Sequence, residues 1–134
     1  EVIKNGKNIN PVNFFYNALM PGTYVQPHRH EEKDEYFQII RGKVLVVLFN
    51  DNGKIESVEM LSGETALSCR ILPGEWHSVI ALEESVILEV KLGPYDPATA
   101  KTFAPWAPSE SDAKSISFLD NTTAVAHRVY FSSS

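Results

Sequence analysis

Hydrophobic positions in this chain fall into short runs and alternations with a period of two rather than three to four, which is the signature of strands. Lys43-Val-Leu-Val-Val-Leu-Phe49 is a β-branched and aromatic run that stops at Asn50-Asp51-Asn52-Gly53. Asn and Gly tolerate positive φ, so this junction predicts a hairpin, with Ile55 to Leu61 as the return strand. Leu67, Cys69 and Ile71 alternate with Ser68 and Arg70, the pattern of a half-buried strand. Pro73-Gly74 marks a turn, Val86 to Leu92 is a strand dense in apolar residues, and Gly93-Pro94 closes it. A further strand is expected over Val12 to Leu19, and one or two more between Ser115 and Tyr130. Many short strands punctuated by Gly and Pro predict an all-β sandwich or barrel. Residues 94 to 111 carry Pro94, Pro97, Pro105 and Pro108, so that stretch reads as an extended, wrapped or disordered tail.

Composition narrows the function. The chain has 134 residues, enough for one domain with a modest core, and is 43% hydrophobic and 22% charged. Its formal charge is −5 and its 12 Lys and Arg are scattered, which argues against nucleic-acid or anionic-membrane surfaces. No apolar run reaches the length of a transmembrane helix, and the N-terminus shows no signal-peptide pattern, so a cytoplasmic location is the expectation. The single cysteine, Cys69, sits among apolar residues and reads as a small buried hydrophobe.

The chemistry concentrates in Gly22-Thr-Tyr-Val-Gln-Pro-His28-Arg-His30-Glu-Glu-Lys-Asp-Glu35. His28 and His30 are two apart, so on a strand both imidazoles share a face. Glu35 follows a hydrophilic turn and opens the strand Tyr36 to Ile40; a neighbouring antiparallel strand can bring its carboxylate back to the imidazoles. His77 follows the Pro73-Gly74 turn at the start of another strand. Three neutral imidazoles and one carboxylate suit one divalent Zn, Fe, Mn, Ni or Co ion and leave coordination positions open. Parity from His28 and His30 places Tyr24 and Gln26 on the cavity face as candidate substrate-positioning groups, with Tyr24 also the candidate catalytic acid or base. The same parity places Phe37, Ile39, Val79 and Ala81 inward, and turns Arg29 and Trp76 away from the ion. Trp106 reads as a cover for a barrel mouth or an interface, and His127 as structural or exposed.

The spacing Gly22, His28-x-His30, Glu35, Gly42 resembles the first motif of the cupin superfamily, and Pro73-Gly74-x-x-His77 resembles the second. Leu72 and Ala81 depart from that second motif at positions that do not bind metal in the family. The resemblance covers roughly residues 12 to 98 and implies a single-domain cupin barrel (a double-stranded β-helix or jelly roll) with His28, His30, Glu35 and His77 as ligands. It also implies an N-terminal arm over 1–21, the barrel over 12–98 and a C-terminal extension over 99–134. Asn17-Ala-Leu-Met-Pro-Gly-Thr-Tyr-Val25, Gly93-Pro-Tyr-Asp-Pro97 and Phe103-Ala-Pro-Trp-Ala-Pro108 resemble the WbuC-type cupin metalloproteins, which are associated with bacterial O-antigen gene clusters. That resemblance implies a small-molecule ligand of carbohydrate type, and the superfamily implies a homodimer. Three readings stay open: a metal-dependent isomerase, epimerase or dioxygenase acting on a small oxygenated substrate, a non-catalytic module whose metal anchors a ligand, and, ranked last because three His and one Glu without cysteine resemble an open site, a purely structural metal site.

Overall fold

The computed structural model describes residues 3–4, 7–8, 12–92 and 101–132. A two-stranded ribbon, β1 (Ile3–Lys4) and β2 (Lys7–Asn8), precedes two facing sheets. The first sheet is ordered β3 (Val12–Leu19), β10 (Ser85–Leu92), β5 (Glu35–Arg41), β8 (Ser68–Ile71). The second is ordered β11 (Thr102–Phe103), β4 (His28–Arg29), β9 (Trp76–Ala81), β6 (Lys43–Phe49), β7 (Ile55–Ser62). All named strand pairings are antiparallel.

The two sheets carry different sequence patterns because they have different surroundings. β5 alternates, with Glu35, Phe37 and Ile39 buried and Tyr36, Gln38 and Ile40 exposed, since one face meets the other sheet and one meets solvent. β6 and β9 are largely buried on both faces. Val44, Val46, Val79 and Ala81 join Phe37, Ile39, Leu61 and Ile87 between the sheets. Leu45, Val47, Phe49, Trp76 and Ile80 face the opposite way, into a second core with Leu119 and Ala126. That second core is roofed by α1 (Ser115–Ser132), which lies against β7.

Two glycines mark where backbones close on one another. Gly42, between β5 and β6, has φ +89°, and a Cβ there would collide with Ser85 Oγ and the Glu84 carbonyl. Gly53, in the β6–β7 hairpin, has φ +86°, and a Cβ would lie 2.7 Å from the Trp106 ring. Asn50 Oδ1 accepts from the backbone N–H groups of Asn52 and Lys54 and fixes this turn.

The expectation of strands between Ser115 and Tyr130 is corrected: the segment is one 18-residue helix. Its β-branched content lowers intrinsic helix propensity, but Ser115, Leu119, Thr122 and Ala126 recur at spacings of four and three and are buried, so tertiary packing decides. The strand expected over Val12 to Leu19 is present, as an edge strand paired along β10. Of the Pro-containing stretch, Pro94 and Pro97 lie outside the described residues. From Lys101 onward the chain is placed: Thr102 and Phe103 pair with Arg29 and His28, Ala104 is buried, and Trp106 packs against Phe49 and Trp76 at centroid distances of 5.0 and 6.2 Å. Trp106 therefore covers the outer core, beside the hairpin.

Candidate metal centre

His28 on β4 stands directly opposite His77 on β9, and their ring centroids are 4.4 Å apart. His30 lies 5.3 Å from His28 and 5.6 Å from His77, measured between centroids, and Glu35 enters from the facing sheet. One ligand atom from each of these four residues lies within 4.8 Å of the others. All four are buried, His77 completely and Glu35 to 1% exposure.

Hydrogen bonds outside the cluster set the histidine tautomers. Nδ1 of His28 is 2.8 Å from the Gln26 carbonyl, and Nδ1 of His77 is 2.9 Å from the Glu75 carbonyl. A carbonyl only accepts, so each Nδ1 carries the proton, and each neutral ring turns an Nε2 lone pair toward the cluster. His77 Nε2 then faces Glu35 Oε1 at 3.0 Å, acceptor against acceptor, a contact that needs a proton or a cation between the atoms. Glu35 Oε2 is buried without an aligned hydrogen-bond partner, 3.3 Å from His30 Nε2 and 3.5 Å from Lys91 Nζ. Burial, followed by the charge of the neighbouring His77, pushes His28 down to about 3 and keeps it in the neutral, ligating form. Burial alone would raise Glu35, but its close approach to the imidazoles of His30 and His77 outweighs that and holds the carboxyl below the usual range. Three imidazole nitrogens and a carboxylate fit a borderline divalent transition ion.

The cluster opens on a cavity of about 180 Å³ between the sheets, reached by His28. Leu19, Val25, Phe37, Val79 and Ile87 form its apolar wall, and Asn17, Glu89, Lys91 and Lys101 its polar part. In the β10 register, Glu89 stands opposite Phe37 and Lys91 opposite Glu35. Asn17 Nδ2 donates to Glu89 Oε2. Burial first, and then the charge of Glu35, raises the Glu89 carboxyl above its ordinary value against the opposing pull of Lys91 and Asn17. Reading Val86–Leu92 as simply apolar misses Glu89 and Lys91. The signal was parity: both share the face of Ile87, which points into the core.

The expected cavity positions of Tyr24 and Gln26 are corrected. Residues 20–27 do not form a strand, and Pro27 interrupts the alternation before His28, so parity cannot be carried back past it. Val25 faces the cavity, whereas Tyr24 packs into the outer core with its ring edge on Phe118 and its hydroxyl donating to the Pro108 carbonyl at 2.7 Å. Gln26 acts through its carbonyl on His28 and is not among the residues lining the cavity. Arg29 turns outward, 4.2 Å above the Trp76 ring and paired with Glu31. Exposed His127 stacks on Phe131. Cys69 packs against the inner core, and burial, followed by the charges of Glu59, Glu35 and Glu75, raises its thiol to about 12.

Comparison with known proteins agrees with this architecture. A family model described as a domain of unknown function, DUF6016, matches residues 5–61, and no curated protein matches the sequence. The capsular polysaccharide assembling protein CapF from Staphylococcus aureus superposes with a TM-score of 0.62 at 19% identity, over 76% of this chain and 30% of CapF. Oxalate decarboxylase from Bacillus subtilis gives 0.58 at 19% identity, over 72% of this chain and 24% of the enzyme. A protein from Planctomyces limnophilus gives 0.52 at 22% identity, over 70% of this chain and 72% of that one. CapF and oxalate decarboxylase are cupin-fold proteins, and the two-sheet architecture of this chain is the cupin fold. The chain spans under a third of the length of either. Among the described residues, no helix is long and apolar enough to cross a membrane.

Proposed function

We propose that this chain is a metal-binding cupin of the WbuC type, with His28, His30, Glu35 and His77 as ligands. It acts on a small oxygenated, sugar-like substrate in bacterial surface-polysaccharide metabolism. The observation that carries the reading is the set of buried acceptors converging within 4.8 Å, with the His28 and His77 Nδ1 protons committed to backbone carbonyls outside it. A divalent ion held there supplies Lewis-acid polarisation of a substrate oxygen. The placement of CapF in capsular polysaccharide assembly supports the metabolic setting.

The chain's own residues support proton transfer next to a carbonyl, as in an isomerase or epimerase. Glu89 is a carboxyl on the cavity wall that is not one of the four ligands, and burial holds it nearer neutral pH than an exposed glutamate. Asn17 fixes one of its oxygens, so the other is free to accept or return a substrate proton. The apolar wall excludes water from that exchange. Tyr24 has no part in this chemistry, because its hydroxyl is engaged by Pro108.

The test is deuterium exchange at the carbon beside the carbonyl, followed by NMR, with metal-replete chain, a panel of small hydroxy-carbonyl compounds and heavy water. Metal-dependent exchange that Glu89→Gln slows by about a hundredfold or more supports the enzyme reading, the scale of general-base catalysis. Binding without any exchange turns the chain into a non-catalytic, metal-anchored ligand-binding module.

A further inference from the structure

The cavity's polar groups constrain what enters it more narrowly than the word "sugar-like" does. Resting on the metal-centre reading above, we propose that the ligand is a small hydroxycarboxylate, its carboxylate drawn to Lys91 and Lys101 and its hydroxyl side toward the cluster. A neutral polyhydroxylated sugar is the alternative this excludes.

Two observations carry it. Two ammonium groups, Lys91 and Lys101, line the same cavity as Glu89. With Glu35 matched by Lys91 at 3.5 Å, a divalent ion in the cluster leaves the cavity net positive whether Glu89 is ionised or not. A positive, partly desolvated pocket selects an anion. Second, five of the ten lining side chains are apolar, and the amide of Asn17 is already committed to Glu89. A neutral sugar would bring several hydroxyls into this space and leave most of them unpaired, which is costly on burial. A small hydroxycarboxylate concentrates its polarity at one charged end and one or two hydroxyls.

D-glycerate and glycerol differ only in whether one end is a carboxylate or a hydroxymethyl, so they separate the two ligand classes. Calorimetric titrations of both into the full chain, zinc-loaded and metal-free, with zinc content measured on the same samples, decide the matter. Zinc-loaded chain is expected to bind glycerate at least about tenfold more tightly than glycerol, the gain of one strong charge-assisted contact. Lys101→Gln, at an exposed cavity residue that is not one of the four ligands, should erode that preference by about two- to fivefold, as for an exposed charge pair, with zinc content unchanged. Lys91→Gln should erode it further. Equal affinities, no glycerate binding by zinc-replete chain, or a preference untouched in both lysine variants overturns the inference and leaves the metal centre standing. A chain that takes up no zinc yet keeps a lysine-dependent preference for glycerate sinks the metal centre and leaves the anion pocket standing.

Discussion

The two cores of this chain lie on opposite faces of one sheet and are finished in opposite ways. Under α1, Leu45, Val47, Phe49, Trp76 and Ile80 meet Leu119 and Ala126, and of the polar atoms there those of Tyr24 and Trp76 donate to Pro108 and Asp51 while, among the described residues, Trp106 Nε1 alone stays without a partner. On the other face the same strands contribute Val44, Val46, Val79 and Ala81 to an equally apolar interior, which ends in four converging ligand atoms. Stability alone asks for the first arrangement, because burying polar groups without complementary donors costs free energy. The difference separates what holds the barrel together from what the barrel holds.

Substitutions can break that separation, and the largest effect should come from the cluster. His28→Ala removes a ligand and should weaken metal uptake beyond the roughly 10–100-fold typical of second-sphere changes, as read by elemental mass spectrometry after dialysis. Circular dichroism should show the barrel intact, since the position lies in a strand of only two residues.

Leu45→Ala acts on the other core. Leu45 is fully buried beneath the helix, and its truncation should cost about 2–5 kcal/mol in urea unfolding of the metal-free chain. Metal bound per folded chain should not change. If it falls together with stability, the two cores are not separable.

Gly53→Ala tests the contact between the hairpin and the Trp-containing segment. The new Cβ must move the Trp106 ring from a backbone position at φ +86°, a strain of about 1–3 kcal/mol, again with metal uptake preserved.

Tyr24→Phe should have the smallest effect, about 1 kcal/mol for one hydrogen bond. Burial, followed by the charges of Glu110 and Asp112, raises the Tyr24 phenol from 10.0 to about 12. The unfolded chain therefore loses this proton first, and stability falls as pH rises from about 10 toward 12. Denaturation midpoints across that window should be flatter with pH in Tyr24→Phe than in wild type, while exchange activity at neutral pH stays unchanged.

The sequence reveals one of these regions more readily than the other. Lys43–Phe49 reads as a strand, but its unbroken apolar run also implies burial on both faces, and so something packed outside the barrel; the Ser115–Ser132 helix is that cover. Its Thr, Val and Ile content favours strands locally, and the helical spacing of Leu119, Thr122 and Ala126 shows only once a surface is present to receive them. The quartet His28, His30, Glu35 and His77 was legible because motif spacing fixes which strands carry it. Tyr24 and Gln26 were misplaced because alternation was extended through Pro27 into a segment that is not a strand. Glu89 and Lys91 were hidden in a run read for its hydrophobicity, although parity with Ile87 was available.

The central claim is that the convergent acceptors exist to hold an ion, and the most direct measurement is the metal content of anaerobically purified wild-type chain alongside Glu35→Ala. The account predicts about one divalent transition ion per chain in wild type, the stoichiometry of a single four-ligand site, and marked loss in the variant. Wild-type chain that remains metal-free after reconstitution with zinc, iron, manganese, nickel and cobalt in turn would contradict it.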